Sequence, residues 1–571
     1  MPEFGATTEL HGRVDGSLRV GAALDGPAVP AWISATLSGL YEADFLDVRI
    51  VALDVASLDS RRPRASRWPA VLFTLYEKLD YRLFKSATDA FAHVDVIEAL
   101  TGRANVLTDL ADDSTLAAVR SEELDVVLWF ASTRPRAELL DCARFGVWTL
   151  NHDESRTYPS GPSFARQLLD DEPVVATALQ ILGKDDRDRV IYRSFSAIDP
   201  HSLYRSRNAA YWKAAHFMLR RLEHLHNGGW DFIRNLATYE EPAEPVRDTR
   251  QPSNPEMLRF LVRLLARALR SRLRKILYRE TWFLAYRYGG GASSAEQLRD
   301  SVRVLPPHGH YFADPFVTRH DDRHYVLFED YLTRERRGVI SYLELDGTEH
   351  GFVPQVALAR DFHLSYPFTF ALDGQLFMVP ETAAKRTVEL YRAEEFPSQW
   401  TFEATLLTGV AGVDATIVTH AGKLWLFVNV KEHGAHYSEE LCIFFADSLT
   451  GPWTSHWLNP VVSDVRSARP AGRIFERDGM LIRPGQDSSR GYGRAVVLNR
   501  IDVLSEDDYR ETPIARIDHS WCKENVGTHT YNFDDDYEVV DGRRWERRWH
   551  PIDALLSRRP IRGNDDATIG R

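Results

Sequence analysis

Apolar residues fall into two regimes along this chain. Over the first 240 or so residues, short continuous apolar runs alternate with stretches of helical periodicity. Residues 48–53, 125–130 and 146–150 read as buried strands, while residues 70–84 and 135–145 carry the three-and-four spacing of helices. Strands alternating with helices predict an open, mostly parallel sheet, in which ligands sit beyond the carboxyl ends of the strands. From residue 306 on, strand patterns dominate.

In that second regime an apolar strand opens five times on a residue able to do chemistry. The segments are Phe312-Ala313-Asp314-Pro315-Phe316, Ser365-Tyr366-Pro367-Phe368, Val413-Asp414-Ala415-Thr416-Ile417, Ala468-Arg469-Pro470-Ala471-Gly472 and Thr528-His529-Thr530-Tyr531. Their spacing of about 50 to 60 residues is the period of four-stranded propeller blades. A turn signal lies several residues after each opener, in phase with it: Asp321-Asp322, Asp373-Gly374, Ala421-Gly422, Asp478-Gly479 and Asp541-Gly542. A propeller lines its axis with the innermost strand of each blade, so five blades would bring Asp314, Tyr366, Asp414, Arg469 and His529 into one funnel. The expected fold is therefore multidomain, an N-terminal open-sheet α/β domain (1–238) and a C-terminal all-β five-bladed propeller (301–571). Between them, residues 239–300 read as a linker and a helix.

That helix, residues 256–279, has Leu261, Leu264, Leu265, Ala268, Leu269, Ile276 and Leu277 at helical spacing, with Arg259, Arg263, Arg267, Arg270, Arg274 and Lys275 opposite. Contact with a membrane surface is one expectation for it. The other is an interdomain helix that packs its leucines and solvates its arginines.

Composition narrows the partners. A net charge of -12 argues against a general nucleic-acid binder. The three cysteines, Cys142, Cys442 and Cys522, form neither a metal spacing nor a disulfide framework, and residues 1–16 lack a secretory pattern. A cytoplasmic protein, peripheral to the inner face of a membrane if the helix binds lipid, is the expectation. No metal site is expected, because the spacing of His308, His310, His363 and His529 defines no ligand set.

Further motifs accompany the openers: Phe328-Glu329-Asp330-Tyr331, His363-Leu364-Ser365-Tyr366-Pro367, Pro380-Glu381-Thr382, Gly451-Pro452-Trp453, Asn459-Pro460, Arg483-Pro484-Gly485-Gln486-Asp487 and Tyr492-Gly493. In order and spacing, over residues 308–545, they resemble the five-bladed domain at the N-terminus of plant glucosamine inositolphosphorylceramide transferases. More distantly, they resemble five-bladed glycoside hydrolases. The hydrolase resemblance implies that Asp314 acts as base or nucleophile and Asp414 as a tuning acidic group. Glu381 is the best remaining acid candidate; glycosyl chemistry needs two carboxyl groups in different protonation states. The arginine at blade four departs from the hydrolase pattern, and Arg469 with Arg483 would suit an anionic substrate group. His363, Tyr366, Gln486, Asp487 and His529 complete the expected substrate-binding set.

In the first regime, Gly146-Val147-Trp148-Thr149-Leu150-Asn151-His152-Asp153, Gly161-Pro162 and residues 186–194 resemble the formyltransferase family. The resemblance implies a Rossmann-like, formyltransferase-like α/β domain with a site at Asn151, His152 and Asp186. The resemblance departs from the family's Asn-x-His register, and no glycine follows Asp186, so a degenerate copy is expected.

The leading expectation is a carbohydrate-active transferase, working in the propeller funnel on a glycolipid or polysaccharide precursor with a sugar-nucleotide donor. The alternatives are a folate-dependent N-formyltransferase on an amino sugar, a non-catalytic glycan-binding scaffold and a glycosidase.

Overall fold

The computed structural model describes residues 14, 16–52, 70–96, 104–107, 113–153, 162–184, 187–236, 238–239, 250–345, 354–431 and 435–548. Contacts divide the chain into two compact units, the first reaching residue 266 and the second starting at 267.

The first unit is built on a mixed eight-stranded sheet. Five strands run parallel in the order Asn105–Leu107, Leu46–Ala52, Leu18–Ala23, Val126–Trp129 and Val147–Asn151. Three antiparallel strands, Val174–Ile181, Arg189–Ala197 and Thr238–Tyr239, extend the Val147–Asn151 edge. Val126–Trp129 and Val147–Asn151 are buried at every position, as central strands covered on both faces must be. On one face the helices Ala31–Glu42 and Phe217–Leu236 supply Trp32, Leu37, Met218 and Leu222 to the core; on the other Val119 and Leu139 do so. The helix expected at 135–145 shrinks to Ala137–Leu140, because the chain must turn back within six residues to enter the strand at Val147.

The helix Asn254–Leu277 begins after Ser253, which donates both its N–H and its hydroxyl to the Glu256 carboxylate. Its Met257 and Phe260 are buried with Phe73, Tyr76 and Phe164. No helix among the described residues is long and apolar enough to cross a membrane.

The second unit is a five-bladed β-propeller. Blade one is His310–His320, Arg323–Leu332, Arg337–Leu345 and Gln355–Leu358; blade two runs from Ser365 to Thr408, blade three from Gly412 to Ser463 and blade four from Phe475 to Asp518. Blade five is closed from both ends of the domain. Its strands Tyr531–Phe533 and Tyr537–Arg547 are joined by Tyr278–Tyr288 and Val302–Val304, with eleven consecutive residue pairs from Tyr278↔Arg547 to Tyr288↔Tyr537. Residues 278–288, which fall in the span read from the sequence as helix and linker, are thus a blade strand.

Four of the five expected hairpin turns are two-residue turns with both φ angles positive: Asp321-Asp322, Asp373-Gly374, Ala421-Gly422 and Asp478-Gly479. This is the type I′ geometry that matches strand twist. Ala421, at φ 50°, holds a left-handed backbone that penalises a Cβ, and its neighbourhood is exposed. Ala421→Gly should stabilise the propeller by about 0.5–1 kcal/mol, the relief of left-handed strain less the extra chain entropy of glycine. A rise of a few degrees or less in the propeller's Tm, roughly 1–3 °C, is the expected readout.

The fifth turn is elsewhere. Asp541-Gly542 lies inside the strand Tyr537–Arg547, and the chain reverses at residues 534–536, where Asp534 accepts the N–H groups of Asp536 and Tyr537. Gly542 serves packing, since a Cβ there would meet the Phe283 ring at 2.5 Å.

Candidate active site in the propeller funnel

The openers of blades one to three share one local device. Each inner strand carries one extra residue against its neighbour, between Ala313 and Phe316, Ser365 and Phe368, and Val413 and Thr416. The bulged residue sits in left-handed backbone: Asp314 at φ 52°, Tyr366 at 44° and Asp414 at 55°. A bulge re-aims a side chain out of the alternation of the strand. The prolines at 315 and 367 fit there because a bulge residue makes no ladder hydrogen bond.

The bulges interlock around the axis. Asp541 of blade five accepts the Asp314 N–H at 3.2 Å, and Asp314 in turn accepts the Tyr366 N–H at 3.3 Å. The Tyr366 hydroxyl reaches Thr416 Oγ1 at 3.1 Å and accepts the Gly472 N–H at 2.7 Å, spanning to blades three and four.

Seven ionisable groups gather on this frame: Asp314, Glu329, Glu381, Asp414, Arg469, His529 and Asp541, none more than 6 % exposed. Arg469 grips Asp414 with two nitrogens, Nε to Oδ2 at 2.6 Å and Nη2 to Oδ1 at 3.3 Å, and Glu381 Oε2 lies 3.8 Å from Nη2. Gln486 Nε2 adds a bond to Asp414 Oδ2 at 2.9 Å. His529 lies between two carboxylates. Its Nε2 is 3.1 Å from Asp314 Oδ1, and its Nδ1 is 2.8 Å from Asp541 Oδ2 but off the line of a hydrogen bond. Thr530 donates its hydroxyl to Asp314 Oδ1 at 2.7 Å.

Proton affinities separate within this cluster. Burial, and then the charge of Asp414, raise Glu381 to about 8 against the pull of Arg469. Burial and the neighbouring Asp314 and Glu381 raise Glu329 well above the usual range. Burial opposes ionisation of Asp314, but His529, Thr530 and Arg469 outweigh it and hold its carboxyl low. Burial alone would depress His529, yet the flanking Asp541 and Asp314 push it up to about 10. The surroundings thus favour the neutral form of Glu329 and Glu381 and the ionised form of Asp314, beside the cations Arg469 and His529.

Ligand atoms of Asp314, His529 and Asp541 also lie within 4.8 Å of one another, close enough to surround a cation. A metal there would have to displace the proton that both carboxylates hold on His529.

The remaining expected residues divide. Gln486 faces the cluster. Arg483 does not: it pairs with Glu511 on the outer strand of its own blade at 2.7 and 2.8 Å and with the Ser467 carbonyl. Asp487 likewise pairs with Arg516 at 2.9 Å. His363 accepts the Gly338 N–H on Nδ1 and places Nε2 3.7 Å from Glu329; burial pushes it down to about 4, so it is neutral. Sequence reasoning missed Glu329 and Asp541. The first lies in the Phe328-Glu329-Asp330-Tyr331 motif, which by itself assigns it no role, and the second reads as part of a turn signal. It also gave no role to Tyr492, whose ring lies 5.0 Å from the Arg469 guanidinium, between Gly491 (φ 115°) and Gly493 (φ 64°).

In the first unit, Asn151 and His152 lie at the carboxyl end of a parallel strand. Asn151 Nδ2 donates to Gln180 Oε1 at 3.3 Å, and Gln180 bonds Asp188, which Arg134 grips at 2.7 and 3.1 Å. His152 is stacked on Tyr211, 3.7 Å between ring centres, and burial pushes it down to about 3. Asp186 lies outside the described residues.

Residues 301–537 match the family described as "Glucosamine inositolphosphorylceramide transferase 1, N-terminal". A protein of Oryza sativa subsp. japonica named Glucosamine inositolphosphorylceramide transferase 1 is 37 % identical over 277 residues, 46 % of this chain and 34 % of its own length. The protein of that name from Arabidopsis thaliana is 36 % identical over 210 residues, 36 % of this chain and 27 % of its own. The chain therefore spans about a third of the curated relatives it matches. Among solved structures, a family 117 glycoside hydrolase from Zobellia galactanivorans aligns at 12 % identity and TM-score 0.30, over 49 % of this chain and 98 % of its own, a likeness too slight to carry a conclusion.

Proposed function

We propose that the propeller is a carbohydrate-active transferase domain that moves a sugar from an activated donor onto a glycolipid or polysaccharide precursor, with the reaction in the funnel. What carries this reading is the burial of Glu381 and Asp314 in one cluster of charged groups, where their surroundings push their proton affinities in opposite directions. Carboxyl groups pushed to opposite protonation states are the acid–base pair that glycosyl chemistry uses. A buried cluster with only a structural duty would be expected to pair every acid with a cation, and Glu329 and Glu381 are left neutral instead. The names of the plant relatives support the transferase class and a glycolipid acceptor.

In this mechanism Asp314 takes the proton of the acceptor hydroxyl as that oxygen bonds to the anomeric carbon. The bond from the anomeric carbon to the leaving oxygen breaks, and Glu381 gives its proton to that oxygen. His529, fixed between Asp541 and Asp314, keeps the base ionised. Arg469 Nη1, whose bond to the Tyr437 carbonyl is long at 3.5 Å, is the guanidinium nitrogen best able to meet an anionic donor group such as a sugar nucleotide's phosphate. Because Arg483 is committed to Glu511, this anion site rests on one arginine.

Asp314→Asn keeps an acceptor oxygen for Thr530 but removes the base. Transfer from sugar nucleotides to glycolipid acceptors should fall about 10²–10⁴-fold. Unchanged turnover in that assay would sink the funnel mechanism.

A further inference from the structure

The helix Asn254–Leu277 buries one apolar face and leaves a second one bare. Leu258, Val262, Leu265, Leu269, Leu273 and Ile276 recur at spacings of four and three and are 49–71 % exposed. The expected leucine face holds in part: Leu261 and Leu264 pack beside Met257 and Phe260, while Leu265, Leu269, Ile276 and Leu277 face outward with this stripe. Next to the helix, Val71–Phe84 touches it through Tyr76 and Phe260, 5.3 Å between ring centres, and exposes Val71, Leu75 and Leu79.

Cations border the stripe. Arg259, Arg270, Arg272 and Lys275 are exposed and form no ion pair among the described residues, and Arg274 lies against the Trp545 ring. No acidic residue occurs between Glu256 and Glu280, in a chain whose net charge is -12.

We propose that this helix is a docking surface for an anionic lipid bilayer, lying in the headgroup plane with its bare leucines inserted and its arginines on lipid phosphates. Charge decides between lipid and a second copy of the chain. Two copies sharing the stripe would bring arginine against arginine, and the one carboxylate of the helix, Glu256, is already held by Ser253, Arg166 and Arg250, whereas an anionic surface satisfies both the stripe and its border. The surface is independent of the funnel chemistry, although a membrane-bound acceptor would be presented by it.

The test is sedimentation of the full chain with vesicles of phosphatidylcholine alone or mixed with phosphatidylserine. Binding to the anionic vesicles should be at least about tenfold tighter and weaken with salt. Leu265→Gln/Leu269→Gln and Arg270→Glu/Arg272→Glu, all at exposed positions, should each lower it by at least about tenfold, with circular dichroism and melting unchanged. Asp314→Asn should bind vesicles like the parent, so a failure of the catalytic reading would leave this one standing. Equal binding to both vesicle types, binding to neither, or a dimer in light scattering that the leucine variant dissociates would overturn the proposal.

Discussion

Replacing Arg469 with methionine is expected to lower the melting temperature of the propeller by about 6 to 20 °C. Methionine fills much of the arginine's volume, so the loss is electrostatic. The substitution leaves Asp414 buried without its cation and takes away the charge that restrains Glu381 and Asp314. Removing one partner of a buried ion pair costs about 3–5 kcal/mol, and each kcal/mol shifts Tm by about 2–4 °C in a domain of this size. Asp414→Asn should cost less. It leaves Arg469 with Glu381 3.8 Å away, and Glu381 can ionise to take over the pairing. The double variant should therefore be more stable than the sum of the two singles predicts. A shift below about 2 °C for Arg469→Met would mean that the pair is not made in solution.

The pair behind that prediction could not be read from the sequence, although both partners could. The five openers are local signals, a polar residue and often a proline at the head of an apolar strand, and the funnel followed from their period. Which opener faces which depends on blade closure, and a 55-residue separation carries no information about it. Arg483 shows a different failure. It and Gln486 are three residues apart on one strand, so alternation places them on opposite sides; Gln486 reaches Asp414 and Arg483 reaches Glu511. That parity was available in the sequence. Asp541 was hidden because Asp-Gly is a hairpin signal, and only the Phe283 ring packed on Gly542 explains its place inside a strand. The closing strand at Tyr278 was hidden because its partner lies at the other end of the domain. In the first unit the strand-and-helix alternation was legible, but the antiparallel edge after Asn151 was not, since nothing local distinguishes a returning strand from a crossing one.

The second large effect is on activity and separates it from stability. Glu381→Gln should abolish most transfer, about 10²–10⁴-fold, while leaving the propeller folded. Glutamine is isosteric with the protonated acid that the site holds at neutral pH, but it has no proton to give. In the unsubstituted protein, transfer should fall as pH rises through about 8, where Glu381 ionises. The pH dependence of stability has the same origin. Because the folded-state value of Glu381 is raised above its ordinary 4.5, its contribution is complete below that value and is lost as pH climbs to about 8. His529, raised from 6.5 to about 10, adds a second loss between those limits. Each proton held only by the folded state tilts stability by about 1.4 kcal/mol per pH unit. Glu329 and His363 contribute their own pH dependence in both proteins, so the difference between the two isolates Glu381: from pH 5 to 8 the melting temperature of Glu381→Gln should gain steadily on that of the parent. Parallel melting curves for the two proteins would show that Glu381 is already ionised at neutral pH, and would withdraw it as the acid.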